Sequence, residues 1–97
     1  MKVRYTVPAQ ADLDDIYTYV SNNNPFAAER IKRQIKIDAD LLGDLPFISR
    51  KSDYPDIRVR KVRHYPYLIF YSVEADEIQI LHVRHGARRA PWETHEE

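Results

Sequence analysis

The stretch from Ile57 to Arg89 reads IRVRKVRHYPYLIFYSVEADEIQILHVRHGARR and decides the fold of this 97-residue chain. It holds three runs rich in β-branched and aromatic residues, which favour strands: Ile57–Arg63, Pro66–Val73 and Glu77–His85. The links between the runs are short enough for tight connections. The middle run is apolar at nearly every position, as is typical of a strand covered on both faces. We therefore expect Tyr67–Val73 to be the central strand of a sheet.

The residues before this stretch predict one strand and a first helix. Lys2–Val7 alternates between apolar and polar side chains, which predicts a half-buried strand that stops at Pro8. From Ala9 to about Asn22 the apolar residues recur with helical spacing. Three aspartates would lie in the first turns, where the helix dipole favours anions: Asp12, Asp14 and Asp15.

A second helix is expected to follow after a short break. Asn24 suits its N-cap, Pro25 suits its first position, and the helix should run to about Leu42. Gly43 and Pro46 are predicted to end it. Leu45–Asp56 is predicted to be a loop, and Ala87–Glu97 a short terminal helix or a loose end.

The predicted order is therefore β-α-α-β-β-β. This is an α+β fold in which a helical hairpin packs on a curled, mostly antiparallel sheet. A chain of 97 residues is long enough for one modest core and too short for two, so we expect residues 1–97 to form a single domain.

Composition removes several classes of function. The chain has no cysteine, which excludes disulfides and thiolate metal sites and fits a reducing cytoplasm. No apolar run approaches the roughly 18–20 residues that span a bilayer, and the N-terminus does not resemble a signal peptide. Only two glycines are present and no glycine-rich phosphate loop, so we expect no nucleotide cofactor and no metal.

The net charge of zero conceals an uneven distribution. Residues 57–89 hold seven Lys and Arg against three Asp and Glu, and three of the four histidines. One interpretation is an ordinary soluble surface with charged patches. The other is a basic surface that meets phosphate or an acidic protein. Composition alone does not separate the two.

Arg58 and Arg60 are predicted to point to the same side of a strand, because side chains alternate. Two guanidiniums on one side could hold neighbouring phosphates or an acidic patch. The alternative is an exposed face that charge keeps soluble and protects from mispairing.

A second basic cluster lies at the end of the last strand and in the turn after it: His82, Arg84, His85, Arg88 and Arg89. A histidine there could act as general acid or base, although histidines at strand ends are more often structural. Metal binding is not expected, because His82 and His85 should face opposite ways. Most tyrosines lie in helical or strand stripes, so core packing is favoured over base stacking.

Three segments together resemble the ParE/RelE superfamily of type II toxin–antitoxin toxins. Ala11–Val20 is similar to the family's first helix, an A-x-x-D-L-x-x-I-x-x-Y-I pattern. Ile57–Arg58 and Tyr65–Tyr71 resemble its R…PY-x-I-x-Y strand pair, and Ile80–Arg89 resembles its closing I-L-x-V-x-H-x-x-R signature. The three segments occur in the family's order and span nearly the whole chain.

The resemblance implies a compact cytoplasmic toxin that inhibits growth, contributes to plasmid stabilisation and is neutralised by a cognate antitoxin in a hetero-oligomer. The target divides the superfamily. RelE-like members cut mRNA in the ribosomal A site without a metal, whereas ParE-like members bind DNA gyrase and trap its cleaved complex with DNA.

Carried over by position, Arg58, Arg60 and Lys61 match the family's basic strand, and Arg88 matches its C-terminal arginine. Together with Arg84 and His85 from the last strand, these are the six residues that we expect to bind the target. The arginine that RelE-like nucleases carry on the central strand is replaced by Leu68, and no late tyrosine follows Arg89. RNA cleavage needs an acid and stabilising cations, so these departures favour gyrase as the target.

The alternative is a ribosome-dependent mRNA endonuclease with Arg58, Arg60 and Arg88 at its site and a histidine as acid, His85 above all or else His82 or His95. A third hypothesis is a decayed toxin that only binds its antitoxin. For antitoxin contact we expect an apolar groove between the helices and the sheet, with Tyr19, Ile37 and Leu41 as candidate residues.

Overall fold

A computed structural model of the chain describes residues 1–86. Its elements are β1 (Lys2–Tyr5), α1 (Val7–Ser21), α2 (Pro25–Asp44), β2 (Arg50–Lys51), β3 (Arg58–Lys61), β4 (Tyr67–Val73) and β5 (Glu77–His85). The strands form one sheet in the order β1-β5-β4-β3-β2. β1 runs parallel to β5, and the other neighbours are antiparallel. The α+β fold, the mostly antiparallel sheet and the central position of β4 are thus confirmed. The predictions for Ala87–Glu97 fall outside the described residues.

The start of α1 corrects the predicted boundary. The Thr6 hydroxyl caps the helix by accepting a hydrogen bond from the Ala9 amide at 3.3 Å, and it donates to the Ile80 carbonyl at 2.8 Å. Pro8 lies in the first turn, where a missing N–H costs nothing. The prediction that the strand extends to Val7 is therefore wrong. The first turn contains no acidic residue, so the dipole explanation for the three aspartates is also wrong.

The start of α2 is as predicted, but its end is not. The Asn24 side chain accepts from the Ala27 amide at 3.0 Å, which confirms the cap. The helix continues through Gly43, which is buried beneath the N-terminus. The Met1 ammonium donates to the Gly43 carbonyl at 2.7 Å, and a Cβ at position 43 would lie 2.5 Å from the Met1 carbonyl oxygen. Gly43 therefore permits a close approach rather than ending the helix.

The predicted loop Leu45–Asp56 contains the two-residue strand β2. Arg50 lies opposite Val59 and Lys51 opposite Arg58. Two residues are too few to show the period-two pattern on which strand prediction depends.

The main core lies between the helices and one face of the sheet. Its buried members from the sheet side include Val62, Ile69, Tyr71, Ile78, Ile80 and Val83, and those from the helices include Ala9, Ile31, Ile35, Ala39 and Leu42. On the opposite face Val59 and Phe70 are cross-strand neighbours. They pack with a smaller apolar cluster of Tyr54, Ile57 and Leu68. β4 is covered on both faces, as its continuous apolar sequence predicts.

Within residues 1–86 we find no helix with both the length and the apolar character that crossing a membrane requires.

Replacing Gly43 by alanine should destabilise the protein by about 1–3 kcal/mol, because the new methyl group overpacks against the Met1 backbone. This outweighs the roughly 0.5–1 kcal/mol that alanine normally gains over glycine inside a helix. Urea unfolding measures the change. Gly86→Ala is the matched control, since a Cβ there would meet its nearest heavy atom, the Pro66 carbonyl oxygen, at an ordinary 3.5 Å. A Gly43→Ala protein more stable than wild type would contradict the packing described here.

Candidate functional site

The basic residues of β3 and β5 meet at one end of the sheet, on either side of the start of β4. Leu68 lies opposite Lys61 in β3 and opposite Arg84 in β5. We call this region the basic end of the sheet and define it by six residues: Arg60, Lys61, Arg63, His64, Arg84 and His85. It contains four of the six residues predicted to bind the target.

On the β5 side, the carboxylate of Asp12 holds the strand. Asp12 is 8% exposed, and its Oδ2 accepts a hydrogen bond from the Val83 amide at 3.0 Å and lies 2.9 Å from His82 Nδ1. Its Oδ1 lies 3.6 Å from a terminal nitrogen of Arg84. β1 pairs with β5 only as far as Ile80. Beyond Ile80, the Asp12 carboxylate of α1 accepts the hydrogen bond of the Val83 amide, which β1 does not reach.

On the β3 side, Asp38 of α2 makes the equivalent contact. It is fully buried, and its Oδ1 accepts from Nε and Nη2 of Arg60 at 3.0 and 2.9 Å. Its Oδ2 accepts from the Arg63 amide at 3.1 Å and from the Gln34 side chain at 2.9 Å. Burial alone would raise the pKa of the Asp38 carboxyl, but together the hydrogen bonds from Gln34, the Arg63 amide and Arg60, with the Arg60 charge, outweigh burial and lower it.

Arg58 lies away from the basic end. It shares a strand side with Arg60, as predicted, because their cross-strand partners Tyr71 and Ile69 both belong to the main core. This side faces the helices and both arginines are half-buried, so it is not the exposed, charge-protected face of the alternative interpretation. The Arg58 guanidinium donates to the Ser49 carbonyl at 2.8 Å and lies 4.8 Å from the centre of the Phe47 ring. Target binding by Arg58 and Arg60 stays a prediction, and both have internal partners.

The other predicted target-binding residues differ in the exposure of their side chains and in the partners that they contact. Lys61 is exposed, and among residues 1–86 it donates to the backbone carbonyls of Val62 and Tyr65, both at 3.3 Å. His85 is exposed and packs edge-on against the Tyr67 ring, with ring centres 5.6 Å apart. Arg84 is half-buried beside Asp12. Arg88 lies outside the described residues.

Four residues in or beside the basic end were given no site role by the sequence analysis. Asp12 and Asp38 were available from periodicity, because each falls within the buried stripe of its helix: Asp38 lies between Ile35 and Leu42. Arg63 and His64 follow β3 in the turn to β4, and both are exposed. His64 adopts a left-handed backbone with φ of 70°, which no sequence pattern indicated.

A groove of about 480 Å³ opens between α1 and the end of β5. It is lined by Asp12, Asp15, Ile16, Tyr19, Tyr67, Val83, Arg84 and His85, so its wall is mixed rather than largely apolar. Of the predicted antitoxin contacts, Tyr19 lies on its rim with 75% of its surface exposed. Ile37 is exposed on α2 and Leu41 is half-buried there, and neither lines the groove.

The histidines and carboxylates of residues 1–86 do not assemble into a group of three that could hold a metal ion. Tyr67 and Tyr71 are buried, as core packing predicts, and the Tyr71 hydroxyl donates to the Pro46 carbonyl at 2.9 Å.

Asp38→Asn should remove a pH-dependent part of the stability. Since the pKa of Asp38 is lower in the folded than in the unfolded chain, its contribution is complete above the unfolded pKa and is lost as the pH falls through the folded one. We expect a loss of about 3 kcal/mol at pH 7, because Arg60 is left without its buried partner. The gap between variant and wild type should narrow below about pH 4.

Urea unfolding at several pH values measures this gap. Asp40→Asn is the matched control, because Asp40 is exposed on the same helix and forms an exposed ion pair with Lys36 one turn away. A gap that stays constant from pH 7 to pH 3 would show that the Asp38 carboxylate is not responsible.

Comparison with known proteins shows which family the chain matches. Residues 3–90 match the family of the ParE toxin of the type II toxin–antitoxin system parDE. The chain is 30% identical over 90 residues to the protein Y4kP of Sinorhizobium fredii, with 93% of each chain covered. It is 33% identical over 87 residues to the toxin RelE2 of Caulobacter vibrioides, covering 90% of this chain and 97% of that one.

Solved structures agree. A chain of the chromosomal ParDE system from P. aeruginosa superimposes with a TM-score of 0.77 at 30% identity, covering 88% of this chain and 95% of that one. The isolated E. coli RelE toxin gives a TM-score of 0.66 at 15% identity, with 91% and 86% covered, which shows a shared fold alone. The chain described here belongs to the ParE toxin family of type II toxin–antitoxin systems.

Proposed function

We propose that this ParE-family toxin inhibits growth in the cytoplasm by binding DNA gyrase and trapping its cleaved complex with DNA. Membership of a type II family implies an antitoxin as partner. The observation that carries the proposal is the chemistry of the central strand β4.

β4 offers no side chain suited to RNA cleavage. Its sequence is YLIFYSV, and its ionisable groups are the phenols of Tyr67 and Tyr71, both buried in the main core. The Tyr71 hydroxyl is occupied by the Pro46 carbonyl. By the resemblance described above, Leu68 lies at the position where RelE-like nucleases carry an arginine. A metal-independent nuclease needs a proton donor and cations at the reacting phosphate, and this strand provides neither.

Two of the cations on the strands beside β4 are already partly neutralised. Arg60 is paired with Asp38 and Arg84 lies beside Asp12. A guanidinium that shares its charge with a buried carboxylate stabilises a developing phosphate charge less than a free one does. This supports a toxin that binds its target over one that cuts it.

Ribosome-dependent mRNA cleavage remains the second candidate, favoured by two observations. The toxin RelE2 is a relative at 33% identity. His82 lies 2.9 Å from the Asp12 carboxylate, an arrangement that suits a general acid or base. Arg58, Arg60 and His85 would join it under this hypothesis, with Arg88 from the chain beyond the described residues.

For the antitoxin we propose the groove between α1 and β5 and the neighbouring outer surface of the helices. Tyr19 on the groove rim, with Ile37 and Leu41 on α2, would provide apolar contact area. Exposed aromatic and aliphatic side chains of this kind are typical anchors for a partner segment.

The test adds purified toxin in excess to gyrase with relaxed plasmid and ATP. We expect supercoiling to be lost and cleaved plasmid to accumulate, because the toxin stabilises the cleaved complex. A translating-ribosome reaction with the same toxin serves as the control, and its mRNA should stay intact. Normal supercoiling together with site-specific cuts in ribosome-bound mRNA would establish the nuclease instead. No effect in either reaction would indicate a decayed toxin.

A further inference from the structure

Three exposed basic side chains lie at the end of β3 and in the turn that joins it to β4. Lys61, Arg63 and His64, which we call the cationic turn, are all exposed. Val62 between them is fully buried in the main core, so its neighbours on either side are directed outward. Sequence analysis assigned target binding to Lys61 and gave no site role to Arg63 and His64.

The backbone of the cationic turn is held at several points. The Val62 amide donates to the Tyr67 carbonyl at 2.9 Å, and the Arg63 amide donates to buried Asp38 at 3.1 Å. The Tyr67 amide donates to the Tyr65 carbonyl at 2.9 Å. A fixed backbone reduces the ordering cost that a partner must overcome, so exposed cations on it are well placed for recognition.

The charges of the cationic turn are available, whereas those of the neighbouring arginines are committed. Arg58 is bound to Ser49 and Phe47, and Arg60 to Asp38. Among residues 1–86, the Arg63 guanidinium has no hydrogen-bonded or charged partner, and Lys61 has no carboxylate partner.

His64 adds an independent indication. Its φ of 70° places a non-glycine residue in the left-handed region, at a cost of roughly 1 kcal/mol or more. Glycine or asparagine would adopt this backbone more easily. A functional role is inferred from backbone outliers of this kind, and His64 is exposed beside two cations that have no carboxylate partner among residues 1–86.

The cationic turn also lies beside the end of β5. The Gly86 amide donates to the Pro66 carbonyl at 2.7 Å, so the end of β5 is tied to the same turn. The basic residues at the end of β5, Arg84 and His85, therefore lie near the cationic turn.

The amount of charge favours an acidic protein surface over nucleic acid. Nucleic-acid-binding domains typically have a pI above about 9 and contact on the order of 6–10 phosphates. This chain has a sequence pI near 6.9 and no net charge. A few fixed cations match a small group of carboxylates, which sets the rate and specificity of protein association.

We propose that the cationic turn, Lys61, Arg63 and His64, is the surface through which this toxin contacts an acidic patch of its target protein. This rests on the proposed function, in which the target protein is gyrase. The arginines of β3 that sequence analysis favoured have a structural role, and the target contact lies at the turn that follows them.

The test compares binding of immobilised gyrase by wild type and by Lys61→Glu/Arg63→Glu at low and high salt. We expect charge reversal to weaken binding about tenfold or more at low ionic strength, with a smaller difference at high salt, because exposed charges are screened. Lys61→Gln/Arg63→Gln should give an intermediate loss. Arg30→Glu/Arg33→Glu is the matched control, since both arginines are exposed on α2, and it should bind within about twofold of wild type.

Unchanged melting temperatures for all variants show that folding is not the cause of any loss. Wild-type affinity in Lys61→Glu/Arg63→Glu at low salt would overturn the proposal. The proposal would also be overturned if the wild-type toxin bound duplex DNA alone and the Lys61→Glu/Arg63→Glu variant did not, because the partner would then be nucleic acid.

A failure of the wild-type toxin to bind gyrase would refute the proposed function. The cationic turn would then be tested by measuring growth arrest on expression of each variant. Loss of toxicity in Lys61→Glu/Arg63→Glu, with toxicity kept in Arg30→Glu/Arg33→Glu, would support the cationic turn as the contact with another protein. Full toxicity in both would overturn it.

Discussion

Two helix carboxylates with almost no solvent access hold the strands on either side of β4. Asp12 binds the Val83 amide of β5, and Asp38 binds the Arg63 amide just beyond β3. A buried carboxylate costs several kcal/mol in lost hydration unless hydrogen bonds and opposite charge replace the water. Both sites supply these partners, so the helices have one favourable position on the sheet. The geometry of the basic end follows from that position.

The same two contacts decide which cations remain for other molecules. Asp38 takes up the charge of Arg60, and Asp12 that of Arg84 in part, while Lys61 and Arg63 stay exposed beside them. The basic residues of the sequence thus divide into two groups, one paired with buried carboxylates and one exposed to solvent. The apolar central strand completes the division, because it places Leu68 between the two basic strands. Both observations support a toxin that acts by binding a protein.

Local patterns in the sequence were sufficient for the architecture. Alternation and continuous apolar runs located β3, β4 and β5, and the Asn24-Pro25 pair located the start of α2. The errors arose where a distant contact decides the outcome. The Met1 backbone keeps Gly43 inside a helix, and Asp12 meets His82 from 70 positions away in the chain. The shared side of Arg58 and Arg60 was predicted correctly, but the contact of Arg60 with α2 depends on Asp38, which no local pattern connects to a strand.

Amide hydrogen exchange of Val83 and Arg63 tests most directly whether the two carboxylates fix the basic end. If they do, both amides should exchange only on global unfolding, with the same opening free energy as the amides of β4. The exposed loop amide of Asp53 should exchange much faster and serves as the internal reference. Exchange of Val83 and Arg63 as fast as that of Asp53 would contradict the account, because the strand ends would then open independently of the core.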